Sequence, residues 1–290
     1  RRQRQMCIRD RSRFATLFAD LDAKNEGAFV PFVMLGDPSA EDAVDIISTL
    51  IDAGADALEL GIPFSDPAAD GPTIQKSHLR ALDGGATVDK CLDQIREIRR
   101  LYPDVPIGML VYANVPYVRG LEKFYSALHE AGADAVLIPD VPVREGAPFI
   151  EAATAAGIDP VFIAPAQARP EVLEGVAANS RGYIYAVSRD GVTGVERESQ
   201  TQGLADVVSN IASYNGAPVL LGFGISTPQH VADAVAAGAA GAITGSAIAK
   251  IIDAHVDYAH PNPGTIRDID ALKAELREYV STMKQATIKA

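Results

Sequence analysis

Two carboxylates stand where an acid–base pair could work. Glu59 lies inside the apolar run Leu58-Glu59-Leu60-Gly61. A carboxylate between two leucines is costly to bury unless it is satisfied or used. As an outward strand position it would pair with a Lys or Arg. As a site residue, burial would raise its pKa toward neutrality and suit it to give and take a proton. Asp70 follows in the stretch from Ile62 to Gln75, which is stiffened by Pro63, Pro67 and Pro72. It precedes a Gly-Pro turn, so on spacing alone a turn or N-cap aspartate and a second catalytic carboxylate are equally open.

A second group of residues suits an anion. Three segments late in the chain end in glycine-bearing turns: SRDGVTG at 188–194, GFGIS at 222–226 and TGSAI at 244–248. Glycine there lets backbone N–H groups approach a phosphate, and a helix N-terminus adds its dipole. Arg189 and Lys250 are the nearest basic residues in sequence. The five His show no HxH or HExxH spacing, so no metal site is expected. No GxSxG nucleophile elbow occurs, and no Lys ends an expected strand.

The elements that must hold these residues repeat. A helix end, an Ala-Gly pair and a short apolar run recur at Asp52–Pro63, Glu130–Pro142, Ala155–Pro165 and Ala236–Ser246. Each glycine suits a left-handed helix C-terminus. Each run lacks alternation and is too short for a helix, so it reads as a strand buried on both faces. Eight strands are expected: Ala28–Leu35, Ala57–Gly61, Ile107–Tyr112, Ala135–Pro139, Pro160–Ala164, Gly182–Val187, Pro218–Gly222 and Gly241–Gly245. Amphipathic helices lie between them. Ala40–Ala53 aligns Val44, Ile47, Leu50 and Ile51, while Val88–Leu101 aligns Cys91, Leu92, Ile95 and Ile98, which makes Cys91 a packed thiol. A helix from Asp268 to Lys284, with Leu272, Leu276, Tyr279 and Val280 on one face, is expected to pack outside. The fold class is α/β, a single (β/α)8 TIM barrel with extra terminal helices. A doubly wound open sheet is the alternative, weakened because no GxGxxG follows a strand.

Composition narrows the function. The 290 residues carry 26 Lys and Arg against 38 Asp and Glu, a formal charge of −12, which argues against a nucleic-acid partner. The apolar fraction of 48% is that of a chain with a core, and two Cys exclude a disulfide scaffold. No stretch has the length of a membrane span. A cytoplasmic location is expected. Arg1 to Arg13 hold six Arg and one Asp, and the remainder has 20 basic against 37 acidic residues. Residues 1–12 therefore read as a disordered or non-native arm, and 13–290 as the barrel domain.

Taken together, LELGIPFSDPAADGPTIQ at 58–75, VYAN at 111–114, VLIPDVP at 136–142, SRDGVTG, GFGIS and TGSAI resemble the tryptophan synthase α subunit family in type and order. The likeness runs from about Arg13 to about Asp253. It implies retro-aldol cleavage of indole-3-glycerol phosphate to indole and glyceraldehyde 3-phosphate, without cofactor. It implies Glu59 as proton shuttle and Asp70 as the carboxylate at the indole N–H. Tyr185 and Thr193 would pack near the substrate and close the loop after strand 6, Thr193 bonding toward Asp70. Gly194, Gly224, Gly245 and Ser246 would cradle the phosphate, and Phe32, Leu110 and Leu137 would line the indole pocket.

The resemblance also implies a β subunit as partner, in an α2β2 assembly. It would dock on the loops after strands 2 and 3, where Ser65-Asp66-Pro67 and Asn114-Val115-Pro116 stand. Competing readings are a stand-alone lyase, a non-catalytic regulatory barrel and another phosphate-binding barrel enzyme. The regulatory barrel would be expected to lack Glu59 or Asp70. A synthase of indole-glycerol phosphate would want a Lys at a strand end.

Overall fold

The computed structural model describes residues 12–187 and 203–289. Nine parallel strands form one sheet: β1 (Ala28–Met34), β2 (Leu58–Gly61), β3 (Ile107–Leu110), β4 (Ala135–Leu137), β5 (Asp159–Val161), β6 (Ile163–Pro165), β7 (Ile184–Val187), β8 (Val219–Leu221) and β9 (Gly241–Thr244). Their order is β5-β4-β3-β2-β1-β9-β8-β7-β6. Because β5 and β6 flank Phe162, they are one barrel strand in two pieces, and the sheet closes through it. This is the expected eightfold barrel, and the closed order rules out the open doubly wound sheet. The strands end earlier than expected. Strand 3 stops at Leu110 and strand 4 at Leu137.

Twelve α-helices are described: α1 (Arg13–Ala23), α2 (Ala40–Asp52), α3 (Pro72–Asp83), α4 (Val88–Leu101), α5 (Asn114–Arg119), α6 (Leu121–Ala131), α7 (Ala147–Ala156), α8 (Pro170–Asn179), α9 (Leu204–Ser213), α10 (Pro228–Ala236), α11 (Ser246–His255) and α12 (Ile269–Gln285). The glycines of the repeated phrase, Gly54, Gly132, Gly157 and Gly238, all have positive φ, between 78° and 110°. That left-handed turn ends each helix and reverses the chain into the next strand. Pro72, Pro170 and Pro228 open helices at their first position, where no backbone donor is needed.

Strand side chains alternate between two cores. Ala28, Val30, Phe32 and Met34 of β1 point inward with Ala135, Leu137, Val161, Tyr183, Tyr185, Leu220 and Ile243. Phe29 and Val33 point outward into the helical layer with Ile46, Ile47, Cys91, Ile95 and Leu276. Cys91 is fully buried, as its helical spacing implies. The buried stripe of α2 is Ala43, Ile46, Ile47 and Leu50, with Val44 only half-buried. The stripe is rotated from the expected one toward Ala43 and Ile46.

Helix α1 covers the N-terminal end of the barrel. Phe14 enters the inner core and meets Tyr183 at a ring separation of 5.0 Å. Ser12, read with the arm, is instead the N-cap of α1 and accepts from the Ala15 N–H. Residues 1–11 of that arm lie outside the described residues. Among the described residues no helix is long and apolar enough to cross a membrane.

Candidate active site

The C-terminal ends of the strands surround one pocket of about 460 Å³. Its lining includes Phe32, Glu59, Asp70, Leu110, Tyr185, Gly224, Gly245 and Ser246, so most of the expected residues converge. Leu137 is buried in the inner core in register with Leu110 but is absent from this lining. Leu137 is the last residue of β4 and is fully covered by its neighbours. Thr193 and Gly194 lie outside the described residues, as does Arg189. Lys250 is exposed on α11, away from the pocket.

Glu59 faces into the barrel, paired across the sheet with Phe32 of β1 and Gly108 of β3. It is 1% exposed. Its Oε1 accepts a 2.8 Å hydrogen bond from the Tyr183 hydroxyl, and its Oε2 has no partner among the described residues. Tyr183 reaches it from the far side of the barrel because Gly108 leaves room: a Cβ there would come within 2.7 Å of the phenol oxygen. Burial pushes the Glu59 carboxyl up to about 7, the Tyr183 bond opposes that rise, and the Asp70 charge adds to it. The carboxyl can therefore hold or release a proton near neutral pH. Among the described residues no Lys or Arg pairs with it, and it faces inward, which removes the outward-facing reading.

Asp70 is buried and is not the helix cap. The N-cap of α3 is Gly71, which makes no side-chain cap bond. Instead, Oδ2 of Asp70 accepts from the Tyr112 hydroxyl at 2.8 Å and meets His78 Nε2 at 3.2 Å. His78 Nδ1 accepts from the Phe64 N–H at 2.9 Å, which assigns the ring hydrogen to Nε2 and makes that nitrogen the donor to Asp70. Tyr112 also accepts from the Ala69 N–H and stacks on Phe64 at 5.5 Å. The loop from Ile62 to Gly71 is thus wrapped around the two rings that hold its own carboxylate.

The opposite rim is made of backbone. Gly224 has φ +75°, a conformation glycine adopts freely. Gly245 is the N-cap of α11, and no side chain caps that helix, so its first N–H groups face the pocket end. A Cβ at 245 would sit 3.3 Å from the Phe32 ring. Tyr185 donates to the Gly222 carbonyl at 2.8 Å and lies across β8 where any Cβ on Gly222 would collide with its ring. Tyr279, expected only to pack, also reaches this rim. Its hydroxyl lies 3.1 Å from Thr244 Oγ1 and 3.3 Å from the Ser226 carbonyl, while Thr244 donates to the Ile225 carbonyl.

Sequence reasoning missed three residues that hold the carboxylates: Tyr183, Tyr112 and His78. Tyr183 had a signal, since it lies two residues before Tyr185 and so shares its face of the strand. Tyr112 stood within the VYAN motif without a role. His78 had none, because nothing in sequence shows that α3 folds back over Asp70. Among the described residues no group of three side chains could hold a metal ion.

Comparison with known proteins bears on this pocket. The family model described as tryptophan synthase alpha chain matches residues 18–287. A tryptophan synthase alpha chain of Corynebacterium glutamicum is 68% identical over 278 residues, 96% of this chain and 99% of that one. The crystal structure of tryptophan synthase subunit alpha from Legionella pneumophila is similar with a TM-score of 0.81 and 27% identity, over 96% of this chain and 98% of that one. An X-ray structure of the tryptophan synthase complex from Pyrococcus furiosus gives a TM-score of 0.75 and 30% identity, over 89% of this chain and 98% of the matched one.

Proposed function

The chain belongs to the tryptophan synthase alpha chain family and cleaves indole-3-glycerol phosphate to indole and glyceraldehyde 3-phosphate, and we propose that Glu59 and Asp70 are the two carboxylates that carry the cleavage. The observation that carries this reading is the pairing of a buried, half-satisfied Glu59 with a firmly held Asp70 in one pocket.

The chemistry then follows the geometry. Glu59, protonated near pH 7, gives its proton to indole C3 and turns the ring into an electron sink. Asp70, held by Tyr112 and His78, offsets the positive charge that spreads to the ring N–H. Glu59, now ionised, takes the proton of the glycerol hydroxyl as the C–C bond breaks, leaving an aldehyde and indole. Glu59 thereby ends as it began. The unpartnered Oε2 supports its role in transfer, since that oxygen has no bond to give up first. The phosphate would sit at Gly224, Gly245 and Ser246, where backbone N–H groups and the α11 dipole offset its charge. Phe32, Leu110 and Tyr185 would contact the indole.

A partner fits the same rim. Ser65 and Asp66 are exposed on the loop that ends in Asp70. After the next strand, Tyr117 and Val118 of α5 are 74% and 84% exposed, a large apolar area for a free surface. We assign this face to a tryptophan synthase β subunit in an α2β2 complex, and the reaction to the cytoplasm. The proline-stiffened loops are cheap to order on docking. The test is indole release from indole-3-glycerol phosphate by the purified chain, with and without β subunit. Release stimulated by β subunit, together with a complex by light scattering, is the expected result. Unstimulated release and no complex at micromolar concentrations would make it a stand-alone lyase.

A further inference from the structure

The mechanism leaves one large buried charge unused. Arg80 of α3 has a side chain with no exposure at all. Its Nε and Nη2 donate to the two oxygens of Asp37 at 2.7 and 2.8 Å, Nη2 also reaches Ser77, and Nη1 donates to Asp253. Lys76 makes a second tie to Asp253 at 2.8 Å. A buried ion cluster is weak evidence for stability, because apolar side chains of similar volume often serve as well. What charged groups supply is a fixed geometry, so the elements they join matter.

Those elements are the two halves of the pocket. Asp37 lies on the loop that leaves β1 three residues after Met34. Arg80 lies two residues after His78, which donates to Asp70. Asp253 lies seven residues along α11 from Ser246, about 10 Å down the axis of the helix whose N-terminus faces the phosphate end. A short antiparallel ribbon, Val256–Asp257 with Thr265–Ile266, closes over the cluster. A Cβ on Gly264 would lie 3.1 Å from Pro38 and 3.7 Å from Arg80. The ribbon is moored to α3 by Tyr258 and His260, both 2.7 Å from Asp83 Oδ2.

We propose that Arg80, clamped between Asp37 and Asp253, is a positioning residue that sets the spacing between the carboxylates and the phosphate seat. This rests on the reading of that pocket given above. The substrate must touch both ends at once, and a misplacement of about 1 Å can cost about 100-fold in rate. Cutting the strut should leave each half able to bind its own part of the substrate while spoiling their joint alignment.

The test uses the full chain with Asp253→Ala, Asp253→Glu and Arg80→Lys. Asp253 is 32% exposed, so its removal is tolerated more readily than that of Arg80. Glycerol 3-phosphate probes the phosphate seat alone, and turnover of saturating indole-3-glycerol phosphate probes the alignment. In Asp253→Ala, glycerol 3-phosphate affinity should stay within about twofold while kcat falls roughly 10- to 100-fold. Asp253→Glu should restore kcat, and Arg80→Lys, where it folds, should behave as Asp253→Ala because an ammonium cannot span both carboxylates. Unchanged kcat in Asp253→Ala, parallel loss of affinity and turnover, or no restoration by glutamate would each overturn the proposal. Failure of the parent chain itself to bind glycerol 3-phosphate would instead overturn the phosphate seat on which it rests.

Discussion

On the β2–α3 side of the pocket, the polar atoms that line it belong to side chains: Glu59 with Tyr183 behind it, Asp70 with Tyr112 and His78 behind it. On the β8–β9 side they belong to the backbone of Gly224, Gly245 and the first turn of α11. Side chains titrate and can be tuned by burial, whereas peptide dipoles carry a fixed partial charge at every pH. The first side is therefore suited to bonds that change during the reaction, and the second to a charge that does not. Substitutions on the first should appear in turnover and pH dependence, and those on the second in affinity.

The sharpest break of that contrast is Glu59→Gln, which keeps shape but cannot transfer a proton. Turnover should fall at least about 10²- to 10⁴-fold, measured as indole release. The same variant should be more stable than the parent in alkaline solution. The folded Glu59 titrates near 7, against 4.5 for an ordinary Glu, so above pH 7 the parent carries the cost of a buried anion. That cost is on the order of 3 kcal/mol. The gap should be widest above pH 7 and close as pH falls toward 4.5, by thermal melts. A variant that melts with the parent at pH 8 would mean Glu59 is not ionised in a dry site.

Asp70→Asn should come next, with roughly a 100-fold loss of kcat. Binding of glycerol 3-phosphate should be kept, since the lost charge matters only when the indole ring becomes cationic. Parallel loss of binding and turnover would blur the division between the two sides. Gly245→Asp tests the other side. Its side chain would crowd Phe32 and set a negative charge beside the phosphate, so KM should rise about 10-fold or more with a smaller change in kcat. Unchanged KM would remove the seat from α11.

Smaller effects separate support from chemistry. Tyr183→Phe removes the bond that opposes the rise of the Glu59 pKa. If protonated Glu59 starts the reaction, the limb of kcat that falls as pH rises should move to higher pH, with less than about 10-fold change at its plateau. A shift to lower pH would reverse the assigned sign. The smallest effect is expected for Tyr279→Phe. It loses one hydrogen bond, worth about 1 kcal/mol or roughly fivefold, and this should show in KM and hardly in kcat.

Legibility followed the same division. Glu59 was readable because an acid in an apolar strand is anomalous by type. Glycines 224 and 245 were readable because they recur at the ends of late strands. Asp70 was undecided on spacing, because a loop aspartate before Gly-Pro is equally at home as a cap, and only the approach of Tyr112 and His78 settles what holds it. Tyr279 read as one more position on a packing stripe, since helical periodicity reports which face is covered and not where a hydroxyl ends.

The sequence by itself determined the alternation of helix, left-handed glycine and buried strand, and with it a parallel barrel. Those are local matters: each glycine and each apolar run acts within its own few residues. Only the tertiary structure decided what meets across the barrel. Tyr183 touches Glu59 over a separation of 124 residues, and Arg80 joins Asp253 over 173. Such contacts depend on Gly108 leaving room in another strand and on α3 and α11 lying side by side. No local pattern encodes them, because they arise from closing the sheet and are set by the space that closure leaves.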